Sequence, residues 1–270
     1  MIEVIDHISN RRVDIKIATW NVNSIRARCD AVLDWLRKNG PDLLCLQETK
    51  VEDEKFPSDC FKEAGYHPFF SGQKSYNGVA FLSKRPVEQI QVGFPDLPVD
   101  EQKRLMAVTF DGVRVINVYI PNGQSVGSPK FIYKLGFIAR LRTYLDQCHQ
   151  PAEPLVIVGD FNVAPEEIDV YAPKEWEDEV LFHPEARAAL AGLKAWGFED
   201  LFRRHHPEGG QYSWWDYRIA AFRRNLGLRI DHIWATSDLA KKCVSCEIDK
   251  TPRGEERPSD HAPVIATFEL

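Results

Sequence analysis

The sequence predicts an α/β fold that contains at least one partly antiparallel sheet. Three observations carry that expectation. Short apolar runs rich in β-branched residues recur along the chain, segments with apolar residues at helical spacing stand between several of them, and the second quarter holds turn residues suited to hairpins. The 270 residues, 44% hydrophobic with 7 Trp and 15 Phe, suffice for a full core and remain within the range of one large domain. No Gly/Ser-rich, low-complexity or repeated segment marks a linker, so residues 15–270 are read as one domain behind a polar lead, residues 1–14, to which no role is assigned.

The elements follow in order. Ile15–Trp20 reads as a buried strand ending in Asn21-Val22-Asn23, with Asn21 and Asn23 on one face. A helix spans Ser24 to Lys38, with Ile25, Cys29, Val32 and Leu36 at helical spacing and Asn39-Gly40-Pro41 as its stop. Asp42–Gln47 is a second apolar strand, and Glu48 follows it directly, as an exposed cap or a metal ligand. After a short helix over Pro57–Ala64 come the strands Tyr66–Ser71, Gly78–Ser83, Val87–Phe94, Arg104–Phe110 and Val113–Ile120. Asn77-Gly78, Arg85-Pro86 and Asp111-Gly112 suit antiparallel hairpins between them. Tyr119 stands at the end of the last of these strands, before Pro121-Asn122-Gly123.

Ser128-Pro129 caps a long helix to Cys148, with Phe131, Leu135, Ile138, Leu141 and Leu145 as its buried stripe. The run Leu155–Pro165 is then a buried strand closed by Gly159, after which Asp160 and Asn162 appear where the apolar pattern stops. If the backbone stays extended, the carboxylate of Asp160 and the amide of Asn162 share a face and can grip one water; the plainer reading is an Asx-type turn before Pro165. Glu166–Pro184 is acidic and aromatic without a clear period, and a helix covers Pro184 to Trp196. Leu228–Trp234 is a strand that carries Asp231, with Arg229, Asp231 and Ile233 on one face. Val244–Asp249 is another, and Pro258-Ser259-Asp260-His261-Ala262-Pro263 precedes the closing strand Val264–Leu270.

Charge and cysteine usage limit the function. The net charge of −6 argues against indiscriminate nucleic-acid binding. It does not exclude a local basic site, because a phosphate backbone feels charges within about 8 Å at physiological salt. The window Arg203–Arg229 offers one, with Arg203, Arg204, Arg218, Arg223, Arg224 and Arg229 interleaved with Tyr212, Trp214, Trp215 and Tyr217; a solvated loop with a few core aromatics is the alternative. The 6 scattered cysteines favour reduced thiols, and the Cys243-x-x-Cys246 pair, lacking partner ligands, reads as packed thiols rather than a zinc site. The lead carries charges where a signal peptide needs an apolar core, and no apolar run approaches the ~20 residues of a membrane span. A soluble, cytoplasmic, monomeric protein with no membrane partner is expected.

Asn21, Glu48, Tyr119, Asp160, Asn162, Asp231, Asp260 and His261 all fall at or near predicted strand ends. The set suits metal-assisted phosphoester hydrolysis: carboxylates for a hard cation, a group to orient water, and donors for the phosphoryl oxygens. Asp231 is the candidate orienter of His261.

Seven motifs, Trp20-Asn21-Val22-Asn23 with Arg26-Ala27-Arg28, Leu46-Gln47-Glu48-Thr49-Lys50, Asn77-Gly78-Val79-Ala80, Val118-Tyr119-Ile120-Pro121, Gly159-Asp160-Phe161-Asn162, Gly227-Leu228-Arg229-Ile230-Asp231 and Pro258-Ser259-Asp260-His261-Ala262-Pro263, together resemble the exonuclease III family of abasic-site DNA repair endonucleases, in the family's order from Ile15 to Leu270. Tyr212-Ser213-Trp214-Trp215-Asp216-Tyr217-Arg218 and Gly227-Leu228-Arg229 place the resemblance nearer the bacterial exonuclease III branch than the animal abasic endonucleases.

The resemblance implies a four-layer α/β sandwich of the DNase I-like, endonuclease/exonuclease/phosphatase type, with two mixed sheets packed face to face and helices outside. It implies Mg²⁺ or Mn²⁺ as cofactor, with Glu48 the main ligand, Asp260 and Asn21 close by, and Asp160, Asn162 and His261 lining a second position. Asp160 then orients or deprotonates water, steadied by Asn162. Tyr119 meets the phosphate, and His261, held by Asp231, donates to it. Trp214, Leu228 and Ile230 map to the pocket for a flipped-out deoxyribose, with Asn122 and Arg218 as further DNA contacts.

Two departures bear on this: Asn23 stands where some members have Asp, which removes a negative ligand, and Leu228 where animal enzymes have Trp, which loosens the pocket. The implied activity is incision of duplex DNA 5′ to abasic sites, leaving a 3′-hydroxyl and a 5′-deoxyribose phosphate, with 3′→5′ exonuclease and 3′-end trimming. The alternative within the same superfamily is a phosphodiesterase or phosphatase acting on a lipid or inositol phosphate, and a different class again is a DNA-binding protein that has lost catalysis.

Overall fold

In a computed structural model of the chain, which describes residues 14–95 and 102–270, two βαβ units set the plan. The first is β1 (Asp14–Asn21), α1 (Ile25–Asn39) and β2 (Leu43–Gln47), with β1 and β2 parallel. α1 closes where Gly40 adopts the left-handed conformation, φ 54°, and its N–H returns to the Leu36 carbonyl. A short helix α2 (Ser58–Glu63) leads to the antiparallel pair β3 (His67–Ser71) and β4 (Val79–Ser83). The lead lies outside the described residues except for Asp14, which opens β1.

The chain then changes sheets. β5 (Glu88–Val92), β6 (Leu105–Phe110) and β7 (Val113–Tyr119) form an antiparallel meander, and Asp111-Gly112 makes its tight turn. Arg85-Pro86 is not a hairpin, contrary to the sequence reading: β4 and β5 belong to different sheets, so the segment carries the chain across. The second βαβ unit is β7, α3 (Pro129–Cys148) and β8 (Leu155–Asp160), again parallel. Ser128 caps α3, its hydroxyl oxygen accepting from the Phe131 N–H at 3.2 Å.

The remaining elements are α4 (Pro173–Trp176), α5 (Pro184–Lys194), β9 (Phe198–Asp200), α6 (Leu201–His205), β10 (Asp231–Thr236), α7 (Ser237–Ala240), β11 (Cys243–Ile248) and β12 (Val264–Glu269). One six-stranded sheet has the order β11-β12-β1-β2-β4-β3, the other β5-β6-β7-β8-β10-β9. Each therefore has its parallel pair at the centre, flanked by antiparallel strands.

Side-chain alternation distributes the core over three interfaces. Ile15, Ile17, Cys45 and Phe81 of the first sheet meet Val108, Val115, Val158 and Ile233 of the second between the sheets. Ala18, Trp20 and Leu46 face outward under Val32 and Leu36 of α1, while Ile116, Ile157 and Trp234 face outward under Ile138 and Leu141 of α3 and Leu190 of α5. This is the expected four-layer sandwich. Cys243 and Cys246 pack in the inter-sheet core. Among the described residues no helix is long and apolar enough to cross a membrane.

The stripe on α3 differs from the sequence reading. Leu135 is only partly buried, and the position that turns inward is Lys134, with no exposed surface. Phe131, Lys134, Ile138, Leu141 and Leu145 keep the 3-4-3-4 spacing of a buried face.

Candidate active site

The parallel pairs of both sheets end at the same edge of the sandwich, and the chemistry collects there. Asn21 closes β1 and Glu48 follows β2; Tyr119 closes β7 beside Asp160, which closes β8; Asp231 opens the antiparallel β10 directly opposite Asp160. His261 precedes β12, the neighbour of β1. Gly159 makes the approach of β7 and β8 possible. Its φ is 138°, and a Cβ there would stand 1.9 Å from the Val118 carbonyl oxygen.

Asp160 and Asn162 converge by a route other than extended backbone. Asn162 is left-handed, φ 51°, and an Asx turn closes from its N–H to Asp160 Oδ1 at 2.9 Å. The turn swings the Asn162 amide back, so Nδ2 donates to Asp160 Oδ2 at 3.1 Å and to the Ile120 carbonyl at 3.0 Å. The plainer reading of the segment and the functional one are thus the same structure. Asn21-Val22-Asn23 repeats the device: Asn23, φ 44°, donates its N–H to Asn21 Oδ1 at 3.0 Å. That bond assigns the Asn21 amide, leaving Nδ2 to donate to Glu48 Oε1 and Asp160 Oδ2, both at 2.8 Å.

Glu48, Asp160 and His261 each bring one ligand atom within 4.8 Å of the others, a group that could hold a metal ion. The donor set fits a hard divalent cation: two carboxylates from opposite sheets face each other, with Lys50 paired to Glu48 and His261 facing Asp160. Asn21 and Asn162 present amide nitrogens to these carboxylates, so here they bridge and orient them. Asp260 stands outside the group; its Oδ1 accepts from Asn23 Nδ2 at 2.9 Å and its Oδ2 from Trp214 Nε1 at 3.0 Å.

Electrostatics separate the acids. Burial resists the charge of Glu48, but the Lys50 ammonium at 2.6 Å, the Asn21 amide and His261 together hold its carboxyl below the ordinary range. Burial pushes Asp160 up to about 7, with Asp231 and Glu48 adding to the rise and His261 opposing it. His261 is buried too, yet Asp231 and then Asp160 outweigh the desolvation and raise it to about 10. Asp231 Oδ2 lies 2.9 Å from His261 Nδ1, and Ser213 donates its hydroxyl to the same carboxylate at 2.7 Å. Nε2 is left facing Asp160 at 3.8 Å.

Tyr119 is stacked under the Arg104 guanidinium at 4.6 Å; burial, then the charges of Glu48 and Asp160, hold the phenol well above its usual value. Asn122 donates to Asn162 Oδ1 at 3.2 Å. An open cleft of about 460 Å³ runs from Glu48 and Tyr119 past Arg104, Asn122 and Lys130.

The arginine-aromatic window is corrected in part. Arg229 is 1% exposed and spans Asp169 and Asp200, with Nε at 2.7 Å and Nη2 at 2.8 Å respectively, and Arg203 also pairs with Asp169. Both serve an internal network that pins the segment after Glu166 to the start of β10. Residues 228–230 precede that strand rather than belong to it, so Arg229 turns to the side of His232, donating to its Nδ1 at 3.0 Å, instead of sharing a face with Asp231. Tyr212 and Trp215 are core residues, and Arg218 lies exposed, paired with Asp216. Of the predicted pocket side chains, Leu228 and Ile230 are buried; Trp214 alone keeps partial exposure and touches Trp176 of α4, a residue from the stretch where the sequence showed no period.

Lys134 is the residue that the sequence reading missed. It projects from α3 into the loops behind Asp160, and burial pulls its ammonium down to about 7 against the attraction of Asp160. A lysine at a core position of an apolar stripe was the available signal.

Residues 18–261 match the model of the Endonuclease/Exonuclease/phosphatase family. The chain belongs to that family. It is 40% identical over 266 residues to exodeoxyribonuclease III of Haemophilus influenzae, covering 94% of this chain and 100% of that one. An AP endonuclease from Archaeoglobus fulgidus superposes with a TM-score of 0.92 at 46% identity, over 95% of this chain and 100% of that one. The 3′ phosphatase NExo from Neisseria, bound to product DNA hairpin, gives 0.91 at 43%, again over 95% and 100%. As an endonuclease/exonuclease/phosphatase family member, the chain shares with these nucleases both its sandwich and the resemblance read from its motifs.

Proposed function

We propose that the protein is a divalent-metal-dependent DNA repair phosphodiesterase that cleaves duplex DNA 5′ to abasic sites and also acts on 3′ ends, as exonuclease and as a remover of 3′ blocking groups. The observation that carries this is the convergence of Glu48, Asp160 with Asn162, and the Asp231–His261 pair at one edge of both sheets. Relatives named exodeoxyribonuclease III, AP endonuclease and 3′ phosphatase support DNA as the substrate and disfavour a lipid or inositol phosphate.

Mg²⁺ or Mn²⁺ held by Glu48 and its neighbours would supply charge for the phosphoryl oxygens. The protein's own groups do the rest. Asp160 accepts a proton from the attacking water while Asn162 fixes its orientation. The new P–O bond forms on that water as the P–O3′ bond breaks, and the departing O3′ takes a proton from solvent on the Tyr119 side, leaving a 3′-hydroxyl and a 5′-deoxyribose phosphate. His261, kept protonated by Asp231, donates from Nε2 to a phosphoryl oxygen, and Tyr119 stands at the leaving side. Trp214, packed against the cluster that holds Leu228 and Ile230, supplies the apolar wall for a base-less sugar, and Asn122 and Arg218 are assigned to the strand on either side. We place the enzyme in the cytoplasm as a monomer.

The test is a side-by-side assay in Mg²⁺ and in Mn²⁺ of an end-labelled duplex with one abasic analogue against a normal duplex with a recessed 3′ end. Nicking beside the analogue and digestion of the recessed 3′ end are both expected. No cleavage of either in either ion would overturn the reading.

A further inference from the structure

Behind the Asp160–Asn162 turn lies a charged group for which the proposed chemistry has no use. Lys134 has no exposed surface, and among the described residues its ammonium bonds to no carboxylate; its three N–H groups go to three backbone carbonyls, Val180 at 2.6 Å, Asn162 at 2.7 Å and Asn122 at 3.1 Å. An ammonium carries three donors and no acceptor, so this tripod satisfies it completely. Burying a cation costs free energy that hydrogen bonds to neutral carbonyls only partly offset, whereas an apolar side chain at the same position of the α3 stripe would incur no such cost. The three carbonyls belong to three separate loops: the one after β7, the one after β8, and the stretch before α5.

Two of those loops carry side chains that face the site. Asn162 must hold a left-handed φ of 51° for its amide to turn back on Asp160, and such a backbone persists only when its surroundings fix it. Asn122 reaches Asn162 Oδ1 through its own side chain while Lys134 holds its carbonyl from behind. Gly123, next in the chain at φ 99°, packs against the Lys134 stem at 3.1 Å from where a Cβ would lie. Lys134 is therefore bonded to the main chain of both asparagines whose side chains meet beside Asp160.

We infer that Lys134 is a positioning residue for this reaction: by clamping the carbonyls of Asn122, Asn162 and Val180 it holds the Asp160–Asn162 turn in the geometry that aims Asp160 at the attacking water. It acts through Asn162 and does not touch substrate. The inference rests on the reading of Asp160 as the water-orienting group, and its structural half can be measured without any substrate.

The experiment uses the full chain with Lys134→Met, which keeps the unbranched stem and loses all three donors, and Lys134→Gln, which keeps two. Leu145→Ala, a cavity farther along the same α3 stripe, is the control for lost stability alone. On abasic-analogue duplex in Mg²⁺, at a temperature where all proteins are folded, Lys134→Met is expected to lower kcat about 100-fold with KM within threefold of wild type, and Lys134→Gln about tenfold. Leu145→Ala is expected to keep kcat. Hydrogen exchange of the Asn162 amide, without substrate, is expected to quicken at least tenfold in the lysine variants and not in the control. If Lys134→Met does not fold, Lys134→Gln decides on the same two readouts. A kcat within threefold of wild type, a loss matched by Leu145→Ala, or unchanged Asn162 exchange overturns the inference. Wild-type protein inactive on DNA would instead overturn the substrate reading and leave the exchange result to decide the role of Lys134.

Discussion

Asn21 Nδ2 and Asp160 Oδ2 are 2.8 Å apart, although the two residues end strands of different sheets. The same nitrogen bonds Glu48, so one amide holds together the two carboxylates that face the proposed cation. The site is a seam between the sheets, and most of the expected behaviour follows from that.

Removing the Asp160 carboxylate removes the proposed acceptor of the water's proton. Asp160→Asn is expected to reduce incision of abasic duplex by about 10²–10⁴-fold, the usual range for a lost general base. Full activity in this variant would sink the mechanism.

Asp231→Asn leaves His261 in place without the partner that does most to keep it charged. The imidazole, otherwise at about 10, is expected to titrate lower, since burial alone pushes it down. Nuclear magnetic resonance of the ring protons measures this directly. Activity at pH 8 is expected to fall roughly 100-fold as the charged donor is lost.

A cation between Glu48 and Asp160 relieves their repulsion, so Mg²⁺ is expected to raise the melting temperature. At a hundredfold excess over Kd the gain is about 2.7 kcal/mol. Glu48→Gln is expected to abolish most of that shift, and chelation with EDTA to reverse it in the wild type. A shift unchanged in the variant would place the ion elsewhere.

His232 contributes to the acid dependence of stability, beside carboxylates such as Asp200 that ion pairs hold low. Its Nδ1 accepts from Arg229 and its Nε2 donates to the Val163 carbonyl, a neutral tautomer, and burial followed by the Arg229 charge lowers it from 6.5 to about 3. Below pH 6.5 the unfolded chain binds a proton that the folded protein refuses. The contribution is therefore complete above that pH and lost as pH falls, by roughly 1.4 kcal/mol per unit. Urea unfolding between pH 7 and 4.5 is expected to show a shallower slope for His232→Gln than for wild type, and equal slopes would refute the assignment.

Gly159→Ala tests the approach of the two parallel strands. A Cβ 1.9 Å from the Val118 oxygen, on a backbone at φ 138°, forces β7 and β8 apart and is expected to cost on the order of 3–4 kcal/mol in chemical denaturation.

Much of this was legible in the sequence because strand ends announce themselves: the apolar run stops and a polar side chain follows. Asn21, Glu48, Tyr119 and Asp160 were placed that way and lie where the runs stop. What stayed hidden depends on partners far along the chain. Arg229 looks like one more basic residue in a basic window until Asp169 and Asp200 are seen around it. Lys134 interrupts an apolar stripe by one position, and only the three loops folded over it explain why a charge is tolerated there. Arg85-Pro86 reads as a hairpin because local turn chemistry does not say which sheet comes next.

The order of strands has a consequence for biosynthesis. β12 is translated after every other strand described, yet it sits inside the first sheet between β11 and β1, and His261 lies three residues ahead of its first residue. A nascent chain can build the whole second sheet, Asp160 included, while the first still has an open slot beside β1. Until β12 fills that slot, the loop that carries His261 lacks the strand that anchors it beside β1, so a chain truncated before β12 is expected to lack the assembled site.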